Sequence, residues 1–414
     1  LHFLARAREN ARPVTDPPTY DDALEWLFAR TRAGDARSAE RSRALLEVVG
    51  RPDRAFPSVH VIGTNGKGSV CAMLERGLRV AHERVGRFTS PHLLDFRERI
   101  VVNDAMIPKN AVLMFVRWAR EHAHGAAFFD LTFVMAMQHF ERAGVEVAVV
   151  EAGVGGTGDA SNALEHVALT VLTNVDLDHE AVIGVGPEDS VLKNIALEKA
   201  GAIRASAPVV TAARGDALEV IRRVARERSA TVYELEDSAL FALPGMPRLR
   251  GAHQLENARL AAAALRLLGY CDDAVRASLE ATWPGRLEVF TRGERRVILD
   301  GAHNPAGAHA LASSLRGERF ALVFGAMSRK NVHAILEPLR ALADDLHFVS
   351  PGALGTDPRT LSSEYGGMAY DSLEAALDAA LEGQSDVLVA GSLYLVGAAR
   401  ALLEARAFSV AAVD

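Results

Sequence analysis

Residues 58–62, Ser-Val-His-Val-Ile, read as a short β-branched strand; the next seven include three glycines, and residues 70–80 then follow helical spacing. A strand that passes through glycines directly into a helix commits this stretch to an α/β layer architecture. The connecting run is His60-Val61-Ile62-Gly63-Thr64-Asn65-Gly66-Lys67-Gly68-Ser69. Small residues let backbone N–H groups converge on an anion, the helix N-terminus adds partial positive charge, and Lys67 adds a point charge. The run departs from GxxxxGK[ST], because Val61 stands at the first Gly position and Gly68 where a hydroxyl is expected. The reading is a nucleotide loop that places phosphate against residues 63–69.

Further strand-like runs fall at 145–150, 168–173, 208–211 and 231–235, separated mostly by amphipathic stretches. Alternation of this kind predicts a parallel sheet with right-handed crossovers. After Pro17-Pro18, helical spacing runs from Tyr20 to about Val49. Residues 282–295 break the rhythm with Trp283-Pro284-Gly285 and a polar Thr291-Arg292-Gly293-Glu294, which marks a domain boundary. A second series follows, with strands expected at 297–299, 320–324, 346–349 and 387–390. The predicted fold class is α/β. A large N-terminal P-loop ATPase domain, residues 1–288, carries a mostly parallel sheet, and a smaller Rossmann-like α/β domain covers residues 289–414.

Composition narrows the function. At 49% hydrophobic and 24% charged residues, the chain is globular in kind. Lys+Arg 46 against Asp+Glu 53 gives a net charge of −7 without a strongly basic block, which argues against nucleic acid and leaves small, locally held anions. Cys71 and Cys271 lie far apart, outside any CxxC or His-rich spacing, so no disulfide framework or zinc site is expected, in keeping with a reducing cytoplasm. No 18-residue apolar window is free of charge, and residues 1–12 carry three Arg without an apolar core, so neither membrane nor secretion is expected. A first residue Leu in place of Met suggests a true N-terminus further upstream. The 46 cations comprise 41 Arg and only five Lys: Lys67, Lys109, Lys193, Lys199 and Lys330. Where Lys persists against such a bias, the position can need a compact amine that a guanidinium does not replace.

The chain resembles the folylpolyglutamate synthase and dihydrofolate synthase family of the Mur ligase superfamily. The resemblance rests on GTNGKGS, then Thr89-Ser90-Pro91-His92-Leu93, Glu98-Arg99-Ile100, Glu151-Ala-Gly153-Val-Gly155-Gly156, Asp178-His179 and Glu198-Lys199-Ala200-Gly201. It continues through Gly251-Ala-His253-Gln254-x-x-Asn257, Pro284-Gly285-Arg286-Leu-Glu288, Asp300-Gly-Ala-His303-Asn304-Pro305 and Gly391-Ser392-x-Tyr394, in order from 60 to 394.

That resemblance implies an ATP-dependent amide ligase. A pterin-bearing carboxylate, dihydropteroate or a reduced folate, attacks the γ-phosphate of ATP, and the amine of L-glutamate displaces phosphate from the acyl phosphate. Two anions about 4 Å apart repel by roughly 4 kcal/mol at an effective dielectric near 20, about three decades of rate if left uncompensated. Lys67 and Mg²⁺ are the expected compensation. By the same resemblance Ser90 and Glu151 hold one magnesium ion, and His179 and Lys199 hold a second. Glu151 also ends a predicted buried strand, where an unpartnered carboxylate is costly. Lys67, His179 and Lys199 are the catalytic candidates. Lys199 is expected to carry a CO2-derived carbamate, since a free ammonium offers magnesium no lone pair. Asn257, Arg286, Asp300 and His303 join residues 63–69 around ATP, and Asp159, Ser392 and Tyr394 are expected at the substrate. A cytoplasmic monomer is expected.

Three departures stand out. The stretch 185–194 is longer than the family's, so Lys199 is aligned across a gap. The family's GGRLDATN becomes Gly155-Gly156-Thr157-Gly158-Asp159-Ala160-Ser161-Asn162, which keeps Asp159 and loses the arginine. Its Asp-Lys-Asp becomes Arg329-Lys330-Asn331. The alternatives are a Mur-type ligase for another acidic amino acid and a P-loop switch or motor driven by a partner.

Overall fold

The computed structural model describes residues 19–31 and 37–411, so Pro17-Pro18 and the leading stretch 1–12 lie outside the described residues. The first sheet contains β1 (Ser58–Ile62), β2 (Val85–Phe88), β3 (Ile100–Val102), β4 (Ala105–Met106), β5 (Val147–Glu151), β6 (Val167–Leu172), β7 (Val209–Thr211) and β8 (Val232–Glu234). Its spatial order is β4-β3-β2-β5-β1-β6-β7-β8. From β2 to β8 every neighbouring pair is parallel, and β3 and β4 extend that edge as antiparallel strands. β1 therefore lies inside the sheet, between β5 and β6.

β1 and β5 are buried along their whole length. The two faces of β5 feed two cores, which is why it reads as a continuous apolar run; on β1, Val59 and Val61 enter one of these cores, whereas Ser58 and His60 are buried polar residues on the other face. Val59, Val61, Val147 and Val149 pack with the helices Lys67–Leu78, Ala252–Leu267 and Asp272–Leu279. Ala148 and Val150 pack on the opposite side with Lys109–His122 and Phe128–Arg142.

The second sheet is built from β9 (Glu288–Arg292), β10 (Arg295–Leu299), β11 (Phe320–Phe324), β12 (Ala343–Val349), β13 (Met368–Tyr370), β14 (Asp386–Ala390) and β15 (Ser409–Val410). Their order is β13-β12-β11-β14-β10-β9-β15, parallel from β13 to β10 and antiparallel at β9 and β15. One face packs against Pro305–Ser314 and Val332–Arg340, the other against Leu373–Glu382 and Leu393–Ala405. Both sheets are thus covered by helices on each side, as the α/β expectation required.

One expectation needs correction. The single helix from 20 to 49 is two helices, Tyr20–Phe28 and Ala39–Val48. Thr19 and Asp22 form a capping box on the first, while the Ser38 side chain accepts from the Glu40 N–H and starts the second. Ser38 is a start signal that periodicity alone passes over. The irregular segment 282–295 also contains β9, whose residues pair with β10 and so belong to the second sheet. Among the described residues no helix is long and apolar enough to cross a membrane.

Candidate active site

The carboxyl ends of both sheets face one cleft, with a cavity of about 450 Å³. The first sheet supplies the loops after β1, β2, β5 and β6 together with Lys199; the second supplies the turns after β10, β11 and β14, and Arg286 comes from the segment just before β9. Ligands of open α/β sheets bind at this edge because helix N-termini and loop amides collect there.

The loop after β1 opens the helix Lys67–Leu78. Gly66 has φ +84°, and an added Cβ would lie 2.3 Å from Asn257 Oδ1, so glycine is needed on both counts. Gly68 has no room for the hydroxyl that GxxxxGK[ST] expects, since a Cβ there would lie 2.9 Å from Trp283 Nε1. The bracing is internal: the Thr64 hydroxyl donates to the Asp176 carbonyl at 3.2 Å, Asn65 N–H donates to Asn174 at 2.8 Å, and Gln254 Nε2 donates to Ser69 Oγ at 3.2 Å. Lys67 Nζ donates to the Gly63 and Thr64 carbonyls, each at 3.1 Å.

Lys199 reaches the same loop from the end of the helix Val191–Ala200, donating from Nζ to the Gly63 carbonyl at 2.8 Å. It is buried without a carboxylate partner among the described residues. Burial first, and the Lys67 charge second, lower its pKa to about 7. Within the long stretch 185–194, Asn194 accepts from Glu188 N–H and donates back to its carbonyl.

Glu151, at the end of β5, is buried and accepts one hydrogen bond, from Ser90 N–H at 3.1 Å. Burial raises its pKa, against the pull of Lys67. His179 is held at about 4, mainly by burial. Among the described residues no three His, Cys, Asp or Glu side chains group into a metal cage. One carboxylate with an open oxygen beside a serine does fit magnesium, which takes most of its oxygens from water and phosphate.

Asp178, beside His179, joins the two sheets. It accepts from Lys330 Nζ at 2.5 Å and from Asn304 Nδ2 at 3.2 Å. Burial opposes its charge, yet His179, Lys330 and His303 together hold its pKa well below the carboxylate range. Asn304 also exchanges amide hydrogen bonds with Asn65, at 2.8 and 3.3 Å, and caps the helix Pro305–Ser314 through Gly307 N–H. Three of the five lysines, Lys67, Lys199 and Lys330, therefore converge on the cleft. Lys109 lies over the Tyr20 ring, and Lys193 pairs with Asp189 at the surface.

A second cavity, about 120 Å³, adjoins the loop and is lined by Asn257, Asp300, His303 and Arg286. Asn257 Nδ2 donates to Gln254 at 2.9 Å. Asp300 accepts from Leu287 and Ala302 N–H, both at 2.9 Å, and so ties its own turn to the segment before β9. His303 Nδ1 lies 2.8 Å from the Gly301 carbonyl, and burial holds its pKa near 4. Arg286 makes no ion pair with a described residue and borders both cavities.

The far wall carries Asp159, Phe128 and Phe129. Asp159 is buried and accepts from Val154 N–H, Ser161 N–H and Ser161 Oγ. Thr157, at the lost arginine's position, instead donates to the Glu198 carbonyl from both N–H and hydroxyl. A guanidinium arrives from elsewhere: Arg37 donates to the Val154 carbonyl and, at 2.9 Å, to Glu198. Arg99 is buried at the same wall, 5.2 Å over the Phe128 ring. Ser392 caps the helix Leu393–Ala405 by accepting from Tyr394 N–H, and Tyr394 stays half exposed on the cleft. Arg37, Asn304 and Lys330 are not among the site residues expected from sequence; Asn304 stands in the motif that runs from Asp300 to Pro305 and Lys330 among the scarce lysines, whereas Arg37 carries no such signal.

Residues 285–393 match the Mur ligase, glutamate ligase domain. Over 92% of its length the chain is 35% identical to a probable bifunctional folylpolyglutamate synthase/dihydropteroate synthase of Haloferax volcanii, and it spans about half (50%) of that protein. It is 33% identical to a dihydrofolate synthase/folylpolyglutamate synthase of Bacillus subtilis, across 72% of this chain and 76% of that one. Among solved structures, E. coli FolC in complex with DHPP and ADP superposes with a TM-score of 0.82 at 27% identity, covering 96% of this chain and all (100%) of that one.

Proposed function

The chain belongs to the folylpolyglutamate synthase/dihydrofolate synthase family, and from that premise we propose that it is an ATP-dependent ligase joining L-glutamate to dihydropteroate, to reduced folates, or to both. The observation that carries this reading is the convergence, in one cleft, of a phosphate loop with Lys67, an under-coordinated buried Glu151, and the Asp159 wall.

In this reading ATP lies with its phosphates on residues 63–69 and its nucleoside toward Asn257, Asp300 and His303. Lys67 and Arg286 face the phosphates. Ser90 and Glu151 would hold one magnesium ion, and His179 with a carbamylated Lys199 a second; bound there, the metal supplies charge that offsets the repulsion between carboxylate and triphosphate. Lys199 suits that modification because an amine with a pKa of about 7 is substantially unprotonated at neutral pH. Its lone pair attacks CO2, an N–C bond forms, and one proton leaves, giving an anionic oxygen donor.

Asp159 offers the pterin an acceptor, and Tyr394 and Ser392 border the glutamate side. A substrate carboxylate oxygen bonds to the γ-phosphorus as ADP departs. The glutamate amine then attacks the acyl carbon, a C–N bond forms as the nitrogen gives up one proton to solvent or to the departing phosphate, and phosphate leaves with the C–O bond electrons. The cleft's part in both steps is to hold the reacting atoms in line and exclude water.

The test is ADP release by the purified chain with ATP and Mg²⁺, with and without glutamate and a pterin acid. Release that needs both small molecules is expected; release that ignores both, or none at all, overturns the reading. Comparing dihydropteroate with tetrahydrofolate in wild type and Asp159→Ala then separates the two substrate classes. Unequal losses are expected, and equal loss or none removes Asp159 as a selective pterin contact.

A further inference from the structure

Beneath Asp159 runs a chain of hydrogen bonds that the ligase chemistry does not use. His60, on β1, is wholly buried, and its Nε2 lies 2.8 Å from Ser161 Oγ. Ser161 Oγ lies 2.6 Å from Asp159 Oδ1, and Ser161 is itself fully buried. His60 Nδ1 has no partner among the described residues. The chain thus connects the strand that feeds the phosphate loop with the loop that forms the opposite wall of the cleft.

The donors available decide where the hydrogens lie. Asp159 already accepts from Val154 N–H and Ser161 N–H, so it is an acceptor on both oxygens. The single Ser161 hydroxyl proton then goes to Oδ1, and Ser161 Oγ must accept from His60 Nε2–H. The bare Nδ1 is left as an unpaired acceptor. In the reverse arrangement Asp159 is protonated and donates to Ser161, which donates to His60 Nε2; Nδ1 then carries an N–H with no acceptor in a wholly buried site. An orphaned buried N–H is the rarer and costlier fault. Burial and the nearby Arg204 also keep the imidazole neutral, with a pKa of about 3.

We infer that His60 is a positioning residue: as the Nε2–H tautomer it orients Ser161, which holds Asp159 as a carboxylate in a fixed rotamer at the cleft wall. A carboxylate has about four acceptor sites. Three are taken here, two on Oδ1 and one on Oδ2, which leaves one on Oδ2 for a ligand donor. The site therefore selects a ligand presenting a hydrogen-bond donor, N–H or O–H, at that point. What the carboxylate meets rests on the proposed function, whereas the tautomer and the relay do not.

The test has two arms. Long-range ¹⁵N–¹H spectra of the ¹⁵N-histidine-labelled chain, with the His60 signals assigned by their loss in His60→Gln, should show a protonated Nε2 and a bare Nδ1. A protonated Nδ1 overturns the inference. In kinetics with dihydropteroate, His60→Leu and Ser161→Ala should each raise KM for the pterin acid about tenfold with KM for ATP unchanged. His60→Gln and Ser161→Thr, which keep a donor and a hydroxyl, should stay within about threefold of wild type. Unchanged KM in His60→Leu and Ser161→Ala, or equal losses in all four variants, overturns it too. Should His60→Leu fail to fold, the Ser161 pair carries the kinetic arm. If the wild type turns over no dihydropteroate while the spectra show the Nε2–H form, the substrate reading fails and the relay stands.

Discussion

The two sheets meet the cleft in opposite ways. At the edge of the first, Glu151 accepts a single backbone hydrogen bond and Lys199 is buried against one carbonyl. At the edge of the second, Asp300 and Ser392 spend their oxygens on backbone N–H groups, and Asn304 accepts from Gly307 N–H and from the Asn65 amide. Polar groups left under-satisfied in a buried place cost stability, and they are retained where chemistry needs them. The under-satisfied buried groups thus lie at the edge of the first sheet, where the proposed chemistry needs them, and the edge of the second is the better satisfied of the two.

Lys199→Arg, which keeps a cation and removes the primary amine, acts on the less satisfied edge. Turnover should fall about 10³-fold with the thermal transition retained and without recovery in bicarbonate; ADP release and circular dichroism check it. An active Arg variant would return Lys199 to a structural role. In the second sheet the reverse pattern is expected. Phe348→Ala, on β12 in the core shared with the helices Pro305–Ser314 and Val332–Arg340, should cost about 3–5 kcal/mol in denaturant unfolding, with turnover per folded molecule little changed.

Glu151→Gln sharpens the contrast from the other side. It should lower magnesium-dependent ADP release about 100-fold, yet raise stability at pH 7 by about 1 kcal/mol, because a buried charge has been removed. Lys330→Met tests the join between the two units; loss of the Asp178 pair should lower kcat about tenfold with both cores intact.

The smallest effect concerns pH. His60 has a folded pKa of about 3 against an ordinary 6.5, so between those values the unfolded chain binds more protons and stability falls as pH falls. From pH 7 to pH 6 the loss from this group is about 0.7 kcal/mol, and His60→Gln should lack it in paired urea titrations. Arg204 is the charged group acting on His60, and its guanidinium does not titrate in this window.

The same contrast governs what was legible beforehand. Strands buried on both faces, such as β5 and β11, announce themselves as apolar runs, and the loops that follow them carry the motifs. β2 is Val-Gly-Arg-Phe and β9 is Glu-Val-Phe-Thr-Arg. Neither has a strong local pattern, and each exists because a neighbour pairs with it. The site divides similarly. Lys67, Glu151, Lys199 and Arg286 stand in ordered motifs, and the structure brings them to one cleft. Arg37 reaches Val154 across 117 positions and Asn304 reaches Asn65 across 239, separations that no local spacing encodes. Asp159 was legible as a residue, but not the relay behind it, because His60 sits in a strand where a lone buried histidine looks like packing.

The interior place of β1 sets a timetable for amide hydrogen exchange. Peptide N–H groups on an edge such as β4 or β15 exchange through local fraying, whereas those of Val59 and Val61, paired on both sides by β5 and β6, exchange only when the whole sheet opens. The loop rooted in β1 inherits that lifetime. In a deuterium time course the root of the phosphate loop should therefore be among the last places to take up label and β4 among the first.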